Sequence, residues 1–318
     1  MKESIKQAIS NGVQNYMDLH SINQITVARK ANVPKEHLSS ILKGVFTYSA
    51  GNDKVGDIPD KHFNNLAELI EFQIVKKLWR NRNTSQLTQM LAILEESKNE
   101  AFTRVIIGAT GSGKSHIIDL YKRQNPADVF SVKVGHTDTL KDLLWKVAEA
   151  LRVPKRTQKS QLIRDISLSL KALYHNGRKP QLIFDESEYM KTSALCSIKE
   201  FYDYLDKYCS IVLIGTDQLI NEIDKLRRRD AKGIPQLYRR IKFGVRTLPQ
   251  IDRRFEIFLK DIKDQNLRKF LQNKCENYGE LHDVLVPCMI EAERLGDPLT
   301  LGLVKKVLNI EDKNNNAA

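Results

Sequence analysis

From residue 101 onward, short apolar runs alternate with longer stretches in which apolar residues recur at helical spacing. The runs are RVIIGA, DVFSVKVG, QLIFDE, SIVLIGT and FGVRTL. The middle ones are continuously apolar rather than alternating, the pattern of parallel strands covered on both faces. Between them lie KSHIIDLYKRQ, TLKDLLWKVAEAL, SQLIRDISLSLKALYH, LCSIKEFYDYLDKY and QLINEIDKLRRR. This alternation predicts an open, mainly parallel five-stranded α/β sheet over 101–249. After Pro249 the pattern is helical only, which predicts a small helical lid over 250–310, followed by a polar tail at 311–318.

Upstream of the sheet, FNNLAELIEFQIVKKLW and TSQLTQMLAILEESK predict a helical connector across 66–100, with Thr84 or Ser85 as a cap. Residues 1–65 read as short helices with a glycine-rich break at YSAGNDKVGD. Within them, ITVARKANVPKEHLSSILKG has a helix-turn-helix rhythm. Val27 and Ala28 lie on the first helix, Asn32-Val33 make the turn, and Leu38, Ile41 and Leu42 pack the second helix. Lys35, His37, Ser39, Ser40 and Lys43 are then the outward positions open to DNA. The alternative is an assembly domain of the same geometry without base readout.

Composition adds less than pattern. A chain of 318 residues, 41% hydrophobic and 28% charged, suits two or three globular domains. No apolar stretch approaches the roughly 18 residues of a membrane span, and the polar start MKESIKQAISNG has no export pattern. A cytoplasmic protein without a membrane partner is expected. Cys196, Cys209, Cys275 and Cys288 form no CxxC pair and read as reduced, mostly buried thiols. The net charge of +12 is unevenly placed: residues 101–250 hold 27 basic against 16 acidic side chains, whereas 1–100 hold 13 against 11. A basic field of that kind attracts polyanions, nucleic acid foremost.

The first apolar run breaks into Gly108-Ala109-Thr110-Gly111-Ser112-Gly113-Lys114-Ser115-His116. The spacing fits G-x-x-x-x-G-K-[ST] completely, with a strand before it and a helix after it. Glycines let backbone N–H groups wrap phosphates, Lys114 reaches the β and γ oxygens, and Ser115 is placed to ligate Mg²⁺. The positive end of the following helix faces the same anion. ATP and Mg²⁺ are therefore the expected cofactors.

QLIFDE ends in Asp185-Glu186, two carboxylates at the ligand-binding edge of an α/β sheet. Asp185 is expected to hold Mg²⁺ and Glu186 to polarise an attacking water, which argues for hydrolysis rather than passive binding. SIVLIGT ends in Thr216, with Asp217 next, and either could report on the γ-phosphate. Arg239 and Arg240 precede the last strand. Permanent planar cations suit a transferring phosphoryl group, and one far from its own loop could serve a neighbouring subunit. A basic helix face or a DNA contact is the alternative.

The order of these elements resembles the AAA+ ATPases, and within them the transposition regulators of the MuB, TnsC and TniB type, over about residues 100–310. The resemblance implies an ATPase that oligomerises on double-stranded DNA as a filament or ring, largely independently of sequence, and recruits or activates a transposase. It implies DNA contacts along the segment after the second strand, at Lys133, His136, Thr137 and Lys141. Helicase loaders and replication initiators share the element order, as would a non-catalytic ATP-switched scaffold. One departure stands out: Gly296-Asp-Pro-Leu-Thr-Leu-Gly lacks the sensor arginine that many AAA+ lids carry in a Gly-x-x-Arg context, so no lid residue is assigned to catalysis. The N-terminal helix-turn-helix rhythm resembles phage-repressor DNA-binding domains.

Overall fold

The computed structural model describes residues 1, 3–20, 22–49, 55–70, 79 and 81–310, and the chain divides into two units, Met1–Leu78 and Trp79–Ala318. The first unit holds α1 (Glu3–His20), α2 (Gln24–Lys30), α3 (Lys35–Leu42), β1 (Thr47–Ser49), β2 (Val55–Asp57) and α4 (Asp60–Leu69). Asn23 starts α2 by accepting from the Thr26 amide, as an N-cap should. Helices α2 and α3 are joined through a turn in which Asn32 takes a positive φ of 50°, a conformation asparagine tolerates better than most residues. Val27, Leu38, Ile41, Phe63 and Leu66 are fully buried together and form this unit's core.

Two features of this unit differ from the expectation. The glycine-rich segment read as a break is flanked by a short antiparallel pair, β1 with β2; residues 50–54 of YSAGNDKVGD lie outside the described residues. Helix α4 runs across residue 65, while 71–78 of the expected connector helix also lie outside them.

The second unit begins its regular structure with α5 (Ser85–Asn99), capped by Thr84, whose hydroxyl accepts from the Leu87 amide. It continues with β3 (Thr103–Ile107), α6 (Lys114–Gln124), β4 (Val129–Lys133), α7 (Leu140–Ala150) and α8 (Lys159–His175). Then come β5 (Gln181–Asp185), α9 (Thr192–Leu205), β6 (Ser210–Gly215), α10 (Asp217–Arg228), α11 (Ile234–Ile241) and β7 (Val245–Thr247). The lid follows as α12 (Glu256–Leu259), α13 (Gln265–Lys274), α14 (Tyr278–Leu295) and α15 (Leu301–Val307). The polar tail, 311–318, is outside the described residues.

The sheet order is β4-β5-β6-β3-β7, and every pairing is parallel. All residues of β5 and β6 are buried, which explains their unbroken apolar character. Successive side chains point to opposite faces. Val105, Ile107, Leu182, Phe184, Ile211 and Leu213 pack beneath α7, α8, α9 and α11. Ile106, Ile183, Val212 and Ile214 pack against α5 and α6. The α5 segment is thus part of the sheet's layer: buried Gln181 ties it in by donating to Leu94 O and Ser210 Oγ, both at 3.0 Å. The lid has its own core around Phe255, Leu267, Leu271, Leu281 and Leu285. Among the described residues no helix is long and apolar enough to cross a membrane. All four cysteines are unpaired, three of them buried.

Candidate active site: a P-loop at the sheet edge

The loop 108–113 leaves the end of β3 and turns into α6, which begins at Lys114. Gly113 occupies the N-cap position at φ 87°, and Gly111 lies at φ 71°, left-handed conformations that glycine adopts without a steric penalty. Ala109 and Thr110 are exposed on the rim. Ser112 is buried and its hydroxyl oxygen has no protein partner. Lys114 is only 9% exposed, and its Nζ donates to the carbonyls of Gly108 and Ala109, each at 2.9 Å. Burial pulls its pKa down, against the attraction of Glu188, Asp185, Glu186 and Asp217.

Ser115 Oγ donates to Asp185 Oδ2 at 2.7 Å, which joins the loop to the end of β5. Asp185 is 5% exposed, and burial raises its pKa, opposed by the hydrogen bonds from Ser115 and the Glu186 amide. A desolvated cation and a desolvated carboxylate therefore lie on the same loop-and-strand edge, each short of solvation that a ligand can replace. Phosphate oxygens suit the first. A hard divalent cation suits the oxygen pair of Ser115 and Asp185. The residues present fit ATP with Mg²⁺.

Glu186 follows at φ 53° and forms an ion pair with Lys133, Glu186 Oε1 lying 2.9 Å from Lys133 Nζ. Parallel register explains the meeting, since Lys133 ends β4 directly opposite Asp185 at the end of β5. The hydrogen bond and charge of Glu186 raise the Lys133 pKa, so this lysine stays cationic. Past Lys133, His136 and Thr137 are exposed, and the His136 ring meets Tyr189 edge-on at 5.7 Å. Lys141 lies 4.6 Å above the Trp145 ring. These residues share one edge with the candidate catalytic carboxylate.

Three further predicted positions take distinct roles. Thr216 ends the neighbouring strand with its hydroxyl buried and without a protein partner, while Asp217 starts α10 in an exposed position. Arg240 is held by Asp203 and lies 5.1 Å over the Tyr202 ring. Arg239, the preceding residue of α11, is exposed. His116, expected at the nucleotide, follows Ser115 on α6, exposed, with its Nε2 2.9 Å from Asn81 Oδ1.

Two contributions escaped the sequence reading. Glu188 lies beside Gly215 with Oε2 buried and unpartnered, and it exerts the largest charge effect on Lys114. From the lid, the start of α14 reaches the P-loop: the Gly279 amide donates to Gly111 O at 3.3 Å, and Asn277 lies against Gly111. Asn277 caps α14, and Tyr278 donates to Gln86 on α5 at 3.1 Å. The lid thus meets the nucleotide loop through residues 277–279 rather than near Gly296.

In the first unit, Lys35 is exposed and Ser39 and Ser40 are half-buried. His37 is not an outward position. Its ring meets Tyr48 at 4.9 Å and His62 at 5.1 Å, because the β1–β2 pair and α4 cover that side of α3.

Loop, strand order and carboxylate pair define a P-loop nucleoside-triphosphate-binding domain. Residues 98–222 match the family model described as AAA domain. ORC2 of Aeropyrum pernix, in ADPNP–ADP complexes, has a similar fold at TM-score 0.53 and 14% identity, over 73% of this chain and 69% of that one. Its ADP form gives 0.51 at 16% identity, over 77% and 72%. Cdc6p of Pyrobaculum aerophilum gives 0.51 at 15% identity, over 70% and 65%. No curated protein matches the chain in sequence.

Proposed function

We propose that this chain is a DNA-stimulated ATPase that multimerises on duplex DNA in its ATP state, leaves it on hydrolysis, and directs a transposase to the DNA it marks. The observation that carries the DNA-stimulated part is the Lys133–Glu186 ion pair. The lysine of the DNA-facing edge holds the carboxylate that would polarise water. A DNA phosphate that draws off Lys133 frees Glu186 to accept a hydrogen bond from the attacking water.

The remaining roles follow from the contacts. Lys114 exchanges its two loop carbonyls for β- and γ-phosphate oxygens. Ser115 and Asp185 would hold Mg²⁺, which when bound would supply positive charge for the phosphate oxygens. Thr216, with its unpartnered hydroxyl, reports on the γ-phosphate. Arg239 is the better candidate for a cation supplied to the neighbouring subunit, since Arg240 is committed to Asp203 within its own fold. Affinity for duplex rests on Lys and Arg contacts to phosphates and falls steeply with salt.

The decisive experiment is Glu186→Gln. It should stop single-turnover hydrolysis while ATP-dependent assemblies on DNA persist and no longer dissociate. Unchanged hydrolysis would remove the catalytic assignment and favour a non-catalytic switch.

A second client is favoured by the ORC2 and Cdc6p likeness: a replication-initiator or helicase-loader role. The resemblance in element order and the position of the helix-turn-helix rhythm before the ATPase domain support the transposase. Stimulation of strand transfer by a transposase encoded beside this gene would decide for it. Loading of a replicative helicase would decide against it.

A further inference from the structure

Phe243 is the large apolar side chain most open to water among the described residues, at 80% exposed. It stands on a single 3-10 turn, Lys242–Gly244, between α11 and β7. The mount is rigid. Gly244 is buried, and a Cβ there would lie 2.6 Å from Thr103 O, so the turn is seated on the start of β3. Arg246 pins it further by donating from Nη1 to the carbonyls of Phe243 and Val245, at 3.0 and 2.9 Å. A second ring, Phe102, is 40% exposed and immediately precedes β3. Lys242 lies 4.6 Å over the Phe243 ring and Arg104 4.4 Å over that of Phe102.

Single exposed apolar side chains are ordinary on protein surfaces. One on a pinned backbone is a preformed anchor, because little conformational freedom is left to lose when it is covered. Two observations identify what covers it. Helix α11 runs straight into the turn, so Arg239 and Phe243, four residues apart and both exposed, share its outer face, while Ile234, Leu237 and Ile241 fill the inner one. A surface that receives Arg239 therefore meets the Phe243 ring as well.

Charge supplies the second observation. Arg228, Arg229, Lys232 and Lys242 are exposed along the end of α10 and the turns on either side of α11. The nucleotide edge carries the opposite sign, with Glu188, Asp185, Glu186 and Asp217 all acting on Lys114. Within one chain Gly244 sits at the start of β3 and the P-loop leaves its end, about 16 Å further along the strand. Contact between the two surfaces is then heterologous, one copy on the next, and repeats head to tail. Duplex phosphates would answer the cations but leave both rings in water.

We propose that Phe243 is the apolar anchor of a subunit–subunit interface, seated against the rim of the nucleotide site of a second copy of this chain and so placing Arg239 at that copy's phosphates. The assignment rests on the reading of this chain as an ATP-dependent assembly with a cation supplied in trans. It divides the work of one helix face: Phe243 holds the neighbour, and Arg239 acts on the neighbour's nucleotide.

The test uses the full chain with ATP and duplex. Phe243→Ala, at a position too exposed to support the fold, should leave ATP affinity of the dilute protein unchanged. It should raise the protein concentration at half-assembly about ten-fold or more in sedimentation velocity, with Phe243→Leu recovering part of the loss. Turnover per subunit should fall at low protein concentration and return at high concentration, a recovery that Arg239→Ala should not show. With p-benzoylphenylalanine in place of Phe243, ATP-dependent photo-crosslinks should join two copies and map to peptides of the nucleotide edge. Crosslinks to the duplex alone, or to another face of the second copy, would overturn the interface. If Phe243→Ala assembles as wild type does, the anchor is refuted and the assembly reading survives. A wild type that stays monomeric with ATP and duplex would bring down the assembly reading, and the anchor with it.

Discussion

Lys133→Ala tests whether this cation, proposed to meet DNA, restrains Glu186, the candidate catalytic carboxylate. The side chain of Lys133 is 64% exposed and that of Glu186 33%, so their ion pair belongs with surface pairs worth about 0.2–1 kcal/mol. If paired Glu186 is inactive, that energy sets a ratio of held to free carboxylate of roughly 1.4 to 5. Removing the lysine should then raise basal turnover about two- to six-fold and reduce the DNA-stimulated increment by the same factor. Steady-state phosphate release with and without duplex, across a salt series, reads both. In wild type, rising ionic strength should itself lift the basal rate by screening the pair, while the variant should be flat. Stimulation much larger than this factor has to include subunit assembly as well. A variant with unchanged or lower basal rate and intact stimulation by DNA would refute the restraint.

Arg240→Ala should lower thermal stability only modestly, by about 0.2–1 kcal/mol, because exposed Asp203 loses one cation but keeps Lys199 at 2.6 Å; Arg239→Ala should leave the melting temperature unchanged but abolish hydrolysis. Mixing Arg239→Ala with Glu186→Gln subunits should restore turnover, and an inactive mixture would count against a cation supplied in trans. Gly111→Ala should weaken ATP binding and destabilise the lid contact, since a Cβ would lie 2.1 Å from Asn277 Oδ1 at a φ of 71°; calorimetry with ATP and lid proteolysis report both effects. Burial raises the Asp185 pKa above 3.8, so its charge opposes folding above the folded-state pKa, and that cost is relieved as pH falls through it. Asp185→Asn should therefore raise the melting temperature at neutral pH, with the gain shrinking on acidification, while Mg²⁺-dependent ATP binding is lost. A variant less stable at neutral pH would show that the Ser115 hydrogen bond outweighs desolvation.

The parts of this molecule legible in sequence are those in which neighbouring residues carry both the chemistry and its context. The P-loop is one such part, since its glycines, lysine and serine are consecutive and lie between a strand and a helix. The five strands are another, because β5 and β6 are buried throughout and so stay apolar without interruption. Contacts set by register or by distant packing were not legible. Lys133 was expected at DNA and Glu186 at water, but their pairing depends on β4 and β5 ending level. The lid contact depends on where α14 begins in space, and the sensor pattern sought near Gly296 pointed to the opposite end of that helix. His37 was misplaced for a similar reason: the eight residues of α3 cannot reveal that a three-residue strand and α4 cover one side of it.

The charged groups central to the nucleotide site share a common state. Lys114 is held by its own loop's carbonyls, Asp185 by Ser115, and Glu186 by Lys133. On the proposed function each contact would be exchanged rather than merely joined when nucleotide, metal or DNA arrives, so each ligand's net gain would be only the difference between two bonded states. Exchange of this kind makes the ligands interdependent. Phosphates that drew off Lys114 would remove a cation acting on four acidic groups, Glu188, Asp185, Glu186 and Asp217, and a divalent cation would supply positive charge in its place. ATP without Mg²⁺ should consequently bind weakly and fail to support assembly, and Glu188→Gln, by removing one of those charges, should narrow the gap between ATP alone and ATP with Mg²⁺. An unchanged gap would show that Glu188 acts on the lid or the strand end rather than on the phosphate site.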